Sequence, residues 1–291
     1  MRIAVGIATR GRPAMLGETL AELARQTRAP DEIIVCHVDG TDVAHLPGTH
    51  PQVRFLRGRP GLAAQRNVII EATAADLLLF LDDDFFPAPA WLAVLQQVME
   101  AHPHCVVATG TVIADGAKGP GITPEAARAI LAADTPPPDP LAVAPHFNGY
   151  GCNMALRMSA VRAGNIRGDE ALPLYGWYED IDLTRRLAAA SGGTILRLAG
   201  ARGVHLGAKS ARSPGLRLGY SQVVNPIYLM RKGSFPANHA IPSAARHCLI
   251  NLLRSARPEP EVDRWGRFRG NMLGVADLLR GRADPRRILG L

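Results

Sequence analysis

No two cysteines in this chain stand close enough to act together: Cys36, Cys105, Cys152 and Cys248 are widely scattered, with no CxxC and no other ligand spacing. That pattern excludes a disulfide framework and fits buried free thiols in a reducing cytoplasm. No apolar run approaches the ~20 residues that a bilayer-crossing helix needs. The apolar stretch within residues 1–7 is too short for the h-region of a secretory signal, and Arg10 and Arg12 follow at once, so the opening reads as a first strand. No internal repeat is present. With 47% apolar and 20% charged residues the chain is not disordered, and 291 residues suffice for one large α/β domain or two modest ones.

What is present is acid at the end of a strand. Leu77, Leu78, Leu79, Phe80 and Leu81 form a run too short for a helix, which reads as a strand buried on both faces of a parallel sheet. Asp82, Asp83 and Asp84 follow directly. In extended backbone Asp82 and Asp84 point one way and Asp83 the other, so two carboxylates converge on one hard cation, with a metal-bound diphosphate as the cargo. The competing reading is an acidic turn that caps the next helix, which Pro87, Pro89 and Trp91 suggest.

Strand-like segments at 5–8, 32–38, 53–56, 77–81 and 105–109 alternate with helical spacing at 16–26, 61–74 and 91–100. The alternation predicts a doubly wound sheet, whose ligands bind outside the carboxyl ends of its strands. Residues 114–146, rich in Pro and Gly, read as a loop with one short helix near 125–132. A helix is expected at 180–190 and a strand at 194–198, and beyond Pro226 the chain becomes helical and Arg-rich. Residues 231–291 hold twelve Lys/Arg and five Asp/Glu, while residues 1–230 are balanced at 21 of each sign. A basic tail suits lipid headgroups, a lipid-linked phosphate or nucleic acid; the alternative is a solvated surface.

The loop Thr9-Arg10-Gly11-Arg12, then Asp39, Arg66-Asn67, Asp82-Asp83-Asp84, the segment from Gly151 through Asn153 to Arg157, Glu179-Asp180-Ile181-Asp182-Leu183 and His205 follow one another in that order. Together they resemble the inverting glycosyltransferases of glycosyltransferase family 2, over residues 3–207. The resemblance implies an α/β fold of GT-A type, a Rossmann-like doubly wound mixed sheet with a C-terminal helical extension. Residues 1–110 become the nucleotide-sugar half, 111–207 the acceptor and catalytic half, and 208–291 the basic helical extension. In such enzymes the first aspartate of the DxD motif, here Asp82, approaches the ribose or a metal-bound water, and the last, Asp84, binds Mn²⁺ or Mg²⁺. His205 matches a further metal ligand, and an imidazole suits Mn²⁺ better than Mg²⁺.

By the same resemblance Thr9, Arg10 and Asp83 join the nucleotide site, and Arg66 pairs with phosphate or covers the base, against the alternative of a helix-surface salt bridge. The turn Asp39-Gly40-Thr41-Asp42 is shorter than the family's, so either Asp39 or Asp42 receives the base. Asp180 matches the base that removes the acceptor's proton, with Glu179 beside it; N-terminal helix capping is the plainer reading of these acids. Trp177 and Tyr178 suit the lining of a sugar site. Asn153 and Arg157 fall between donor and acceptor pockets, Arg186 matches a position supporting the diphosphate or the helix, and Asp169-Glu170 is an acidic pair in an atypical context.

The implied activity is metal-dependent transfer of a sugar from a nucleoside-diphosphate sugar to a hydroxyl of a glycan or lipid-linked acceptor. It belongs to a cytoplasmic protein, peripheral on the inner face of a membrane if the basic tail meets anionic lipid; nucleic acid is set aside as a partner. Two rivals are a sugar nucleotidyltransferase, which wants a glycine-rich loop after the first strand where this chain has one glycine, and a noncatalytic nucleotide-sugar binder or assembly protein, which has no use for Asp180. An aspartyl-nucleophile phosphatase would carry its acids after the first strand, not the fourth.

Overall fold

The computed structural model describes residues 1–208, 214–257, 259–260 and 262–291, with the backbone alone at Lys118. In chain order its strands are β1 (Ile3–Ala8), β2 (Glu32–His37), β3 (Val53–Arg57), β4 (Leu77–Asp82), β5 (Phe85–Pro87), β6 (Cys105–Asp115), β7 (Val143–Pro145), β8 (Asn153–Arg157) and β9 (Thr194–His205). The α-helices are α1 (Pro13–Leu23), α2 (Leu46–Thr49), α3 (Leu62–Ala72), α4 (Trp91–Ala101), α5 (Pro124–Ala133), α6 (Met158–Ala163), α7 (Glu179–Ser191), α8 (Gly215–Lys232), α9 (Ala237–Ser255) and α10 (Arg264–Leu279).

These elements form two compact units. One holds residues 1–59, 65–167 and the described residues of 183–211; the other holds 60–64, 168–182 and the described residues of 212–291. Two internal segments, 60–64 and 168–182, group with the C-terminal helices. Residues 209–213, 258 and 261 of the expected extension lie outside the described residues.

All nine strands belong to one sheet in the first unit, ordered β3-β2-β1-β4-β8-β6-β9-β5, with β7 added on β9. β1 to β4 are parallel, and Ala8 lies opposite both Cys36 and Asp82, so their carboxyl ends are level. β8 runs antiparallel between β4 and β6, which makes the sheet mixed. β4 is buried on both sides, as its apolar run requires. Leu77, Leu79 and Leu81 enter a core with Leu16, Leu20, Leu92 and Leu95, whereas Leu78 and Phe80 enter the opposite one with Ile69, Leu183 and Leu187. Each such burial contributes about 1.5–3 kcal/mol, enough to fix the register that delivers the acids.

The acids do not cap a helix. Asp83 and Asp84 form the turn from β4 into β5, while α4 begins at Trp91 with Ala90 at its N-cap and no side-chain cap. In the second unit α8, α9 and α10 pack on one another. α8 and α10 come into backbone contact at Gly219, where an added Cβ would lie 2.0 Å from the Arg267 carbonyl oxygen. Their interior is partly polar: Asn251 donates to Gln222 and to Asn271 at 2.9 Å each.

Candidate active site

The register of β1 against β4 sets the loop after β1 beside the acidic turn. Asp83 is fully buried there. Thr9 Oγ1 donates to its Oδ2 at 2.6 Å, and Arg12 Nη2 pairs with its Oδ1 at 2.6 Å. Burial pushes the Asp83 carboxyl up to about 7 although the Arg12 charge opposes it, and Asp84 adds to the rise. Thr9 and Asp83, expected at the nucleotide, instead spend their side chains on each other. The alternation that aims Asp82 and Asp84 one way turns Asp83 inward.

Asp82, Asp84 and His205 bring their ligand atoms within 4.8 Å of one another, the one such three-residue group among the described residues. His205 ends β9 opposite Phe85 of β5 and Asp115 of β6, an arrangement that long strands rather than a loop maintain. Its Nε2 lies 3.5 Å from Asp84 Oδ1 and 3.9 Å from Asp82 Oδ2. Its Nδ1 lies 3.0 Å from Asp115 Oδ1, and Asp115 also accepts from Tyr150 Oη at 3.1 Å and from the Ala117 amide at 3.0 Å. Asp84 accepts from the Ala208 amide at 2.7 Å and pairs with Arg12 Nη1 at 3.3 Å. The turn that presents Ala208 depends on Gly207, at φ +65°, where a Cβ would fall 2.2 Å from backbone atoms of Gly116 and Ala117.

Burial alone would raise the Asp84 pKa, but the hydrogen bonds and charges of His205 and Arg12 and the Ala208 amide hold it below the usual carboxylate range. For His205, burial pulls down and the hydrogen bonds to Asp115 and Asp84 win, raising it to about 10. Burial likewise works against Asp115, yet the His205 and Ala117 bonds lower it to about 2. Two carboxylates with one imidazole could hold a divalent cation. A carboxylate behind the far nitrogen of the imidazole is the support such a ligand ordinarily has. Asp115 and Tyr150 carry no signal in the sequence, and Arg12, though part of the Thr9-Arg10-Gly11-Arg12 loop, is given no role there.

Arg66 is no surface salt bridge. It is 1% exposed, with its guanidinium 5.1 Å from the Phe80 ring centre, donating to the Gly151 carbonyl at 2.7 Å and lying 3.5 Å from Asp82 Oδ1. It braces Asp82. Of the two turn acids, Asp42 is buried and accepts from the amides of Gly11, Val38 and Asp39 at 2.7, 2.9 and 2.8 Å. Asp39 is exposed, bonded through Oδ1 to Thr41. Arg10 is exposed in the first loop.

Asn153 and Arg157, expected between the two pockets, belong to the sheet. Asn153 is fully buried and accepts from Thr109 Oγ1 at 2.9 Å. Arg157 pairs with Leu77, at the opposite end of β4 from Asp82, and donates to the carbonyls of Cys105 and Met99 at 2.8 Å each. The cause is β8 itself, a strand too short and too close to a glycine turn to be read from sequence. Arg186 donates to the Arg167 carbonyl at 2.5 Å and so supports α7.

The second unit carries Asp180 on a tightly wound approach. Leu174, Gly176 and Tyr178 have φ of +59°, +60° and +71°, a conformation that costs Leu and Tyr about 1–2 kcal/mol each. Surrounding contacts hold it in place. Asn225 Nδ2 donates to the Trp177 carbonyl at 2.9 Å, Tyr178 Oη and Ser243 Oγ are 2.6 Å apart, and the Trp177 ring meets His247 edge-on at 5.3 Å. Trp177 and Tyr178 are half-buried in these contacts, while Tyr175, passed over in the sequence, is 57% exposed beside Trp177. Glu179 is buried, and Asp180 is half-buried with Oδ1 accepting from the Ile181 amide at 2.9 Å.

The family model described as Glycosyl transferase family 2 matches residues 4–162, which takes in the acidic turn but neither His205 nor Asp180. A Bacillus subtilis (strain 168) protein described as the uncharacterized glycosyltransferase YwdF is 29% identical over 104 residues, covering 34% of this chain and 39% of that relative's length. A crystal structure of S. aureus TarS 1–349 superposes with a TM-score of 0.55 at 15% identity, over 99% of this chain and 82% of that one. The complex of the same protein with UDP-GlcNAc gives 0.54 at 14%, over 99% and 83%. The fold is therefore of GT-A type.

Proposed function

The chain belongs to glycosyl transferase family 2, and on that premise we propose that it moves a sugar from a nucleoside-diphosphate sugar to a hydroxyl of a glycan or lipid-linked acceptor, inverting the anomeric carbon. The observation that carries this reading is the convergence of Asp82, Asp84 and His205 at the carboxyl end of the parallel strands. Asp84 and His205, with Asp82 beside them, would hold Mn²⁺ or Mg²⁺. Such an ion, when bound, supplies positive charge against the diphosphate as it departs.

The chain's own residues do the rest. Asp180 takes the acceptor's proton as the acceptor oxygen bonds to the anomeric carbon, and the electron pair of the broken bond leaves with the diphosphate. Its partial exposure suits this task better than the burial of Glu179. Asp39, exposed and with one oxygen outside its Thr41 bonds, is the acid to receive the nucleotide base; Asp42 has its carboxylate spent on three amides. Arg12 and Arg66 keep the acids oriented.

A thermal-shift panel of nucleoside diphosphates, each with and without Mn²⁺, tests the proposal. A ligand at 100 times its Kd stabilises by about 2.7 kcal/mol, so one diphosphate should raise the melting temperature and do so only with the metal. UDP comes first in the panel, because TarS binds UDP-GlcNAc in the same fold. No metal-dependent shift with any base would defeat the donor assignment, and donor binding without release of free diphosphate would turn the reading to a noncatalytic binder.

An anionic bilayer is the further partner we propose for the second unit. Among the described residues, eight of the eleven exposed large apolar side chains fall at 241–289. Ile241, Leu249 and Leu252 share one face of α9, and Trp265, Met272 and Leu279 recur every seventh residue on α10. Exposed Arg246, Arg257, Arg269 and Arg280 accompany them. No described helix is long and apolar enough to cross a membrane, so the expected mode is a face resting on lipid, each arginine adding about 1 kcal/mol. The attraction must weaken with salt. Flotation should recover the protein with anionic vesicles at low salt and lose it at high salt; no recovery with anionic vesicles at low salt would remove the bilayer from the proposal, and equal recovery with neutral vesicles would remove the arginines' part in it.

A further inference from the structure

Asp182 stands two residues beyond Asp180 in the first turn of α7, which sets the two carboxylates about 200° apart around the helix axis. Asp182 is fully buried. Its Oδ1 accepts from Ser234 Oγ at 2.7 Å, and its Oδ2 lies 2.8 Å from Lys232 Nζ. The same ammonium lies 2.6 Å from Asp169 Oδ2, which also accepts from Tyr228 Oη at 2.8 Å, while Asp169 Oδ1 takes the Ala171 amide at 2.9 Å. Lys232 is the last residue of α8, and the chain turns immediately after it at Gly233, with φ +86°. One lysine therefore ties the start of α7 and the segment leading to it onto the end of α8.

We infer that Lys232 is a positioning residue for Asp180: by gripping Asp182 from one side of the helix, it fixes the rotation that aims Asp180 from the other. The inference rests on the reading of Asp180 as the base. Acid at a helix start needs no lysine, since the backbone amides already satisfy it. Here the buried carboxylate reaches out of its helix to a cation on another, and the backbone just before it holds Leu174 and Tyr178 at positive φ. A turn that is strained at one end and clamped at the other keeps its direction. Direction is what proton removal requires, because a misplacement of about 1 Å can cost roughly 10²-fold in rate.

Lys232→Met, Lys232→Arg and Ser234→Ala are to be compared in the full chain, alone and combined with Asp180→Asn, measuring turnover, donor affinity and melting temperature. Lys232→Met should lower kcat by roughly 10–100-fold with donor affinity unchanged, and Lys232→Arg should recover part of the loss. In the Asp180→Asn background it should cost nothing further, because a residue acting through the base has nothing left to position. Should Lys232→Met fail to fold, Ser234→Ala decides, with a smaller loss of the same kind. A folded variant with wild-type turnover, or the same loss in both backgrounds, overturns the positioning role. Full activity in Asp180→Asn alone would instead overturn the assignment of the base.

Discussion

Asp180→Asn should lower turnover about 10²–10⁴-fold while donor affinity stays within experimental error of the wild type. The amide keeps the shape of the side chain and can still accept from the Ile181 amide, a bond of 2.9 Å in the native protein. It cannot hold a proton at neutral pH. Isothermal calorimetry with the nucleoside diphosphate, beside a release assay, separates the two properties. Normal turnover in Asp180→Asn with a dead Glu179→Gln would move the base one residue earlier, against the burial of Glu179.

Asp84→Asn should abolish divalent-dependent binding of the nucleoside diphosphate. The loss is of a charge more than of a contact: the asparagine oxygen can still accept from Ala208 but cannot be an anionic ligand. It also leaves Arg12 leaning on Asp83 alone, so the folded state must be verified by melting. Calorimetry that finds the same metal-dependent affinity in the folded variant would end the assignment of Asp84 as a ligand.

The fold was legible wherever apolar periodicity was strong. The run at 77–81 declared a strand buried on both sides, and α7 at Glu179–Ser191 falls where the spacing after Asp180 set it. β8 was not legible, because five residues after a glycine turn carry no period, and with it the bonds of Arg157 to the carbonyls of Cys105 and Met99 were hidden. Asp83 and Asp42 show a second kind of failure. Sequence names an acid without saying whether its oxygens are already taken, and both are occupied by neighbours far along the chain, Thr9 and Arg12 for one and Gly11 for the other. Asp115 was invisible for the same reason: it stands 90 residues from the histidine it supports, and only the pairing of β6 with β9 brings them together.

The grouping of residues 168–182 with the C-terminal helices bears on how such a protein can diversify. The turn carrying Asp180 and the helices that brace it are written in two stretches of the gene, separated by the stretch that encodes β9. A recombination that replaced only the second stretch would bring in helices shaped for another ancestor's turn, and Asn225, Lys232 and Ser243 would lose their counterparts together. The second unit is therefore inherited as a discontinuous one. Descendants of such an exchange should show coordinated substitution at 168–182 and beyond 214, with β9 between them left nearly untouched.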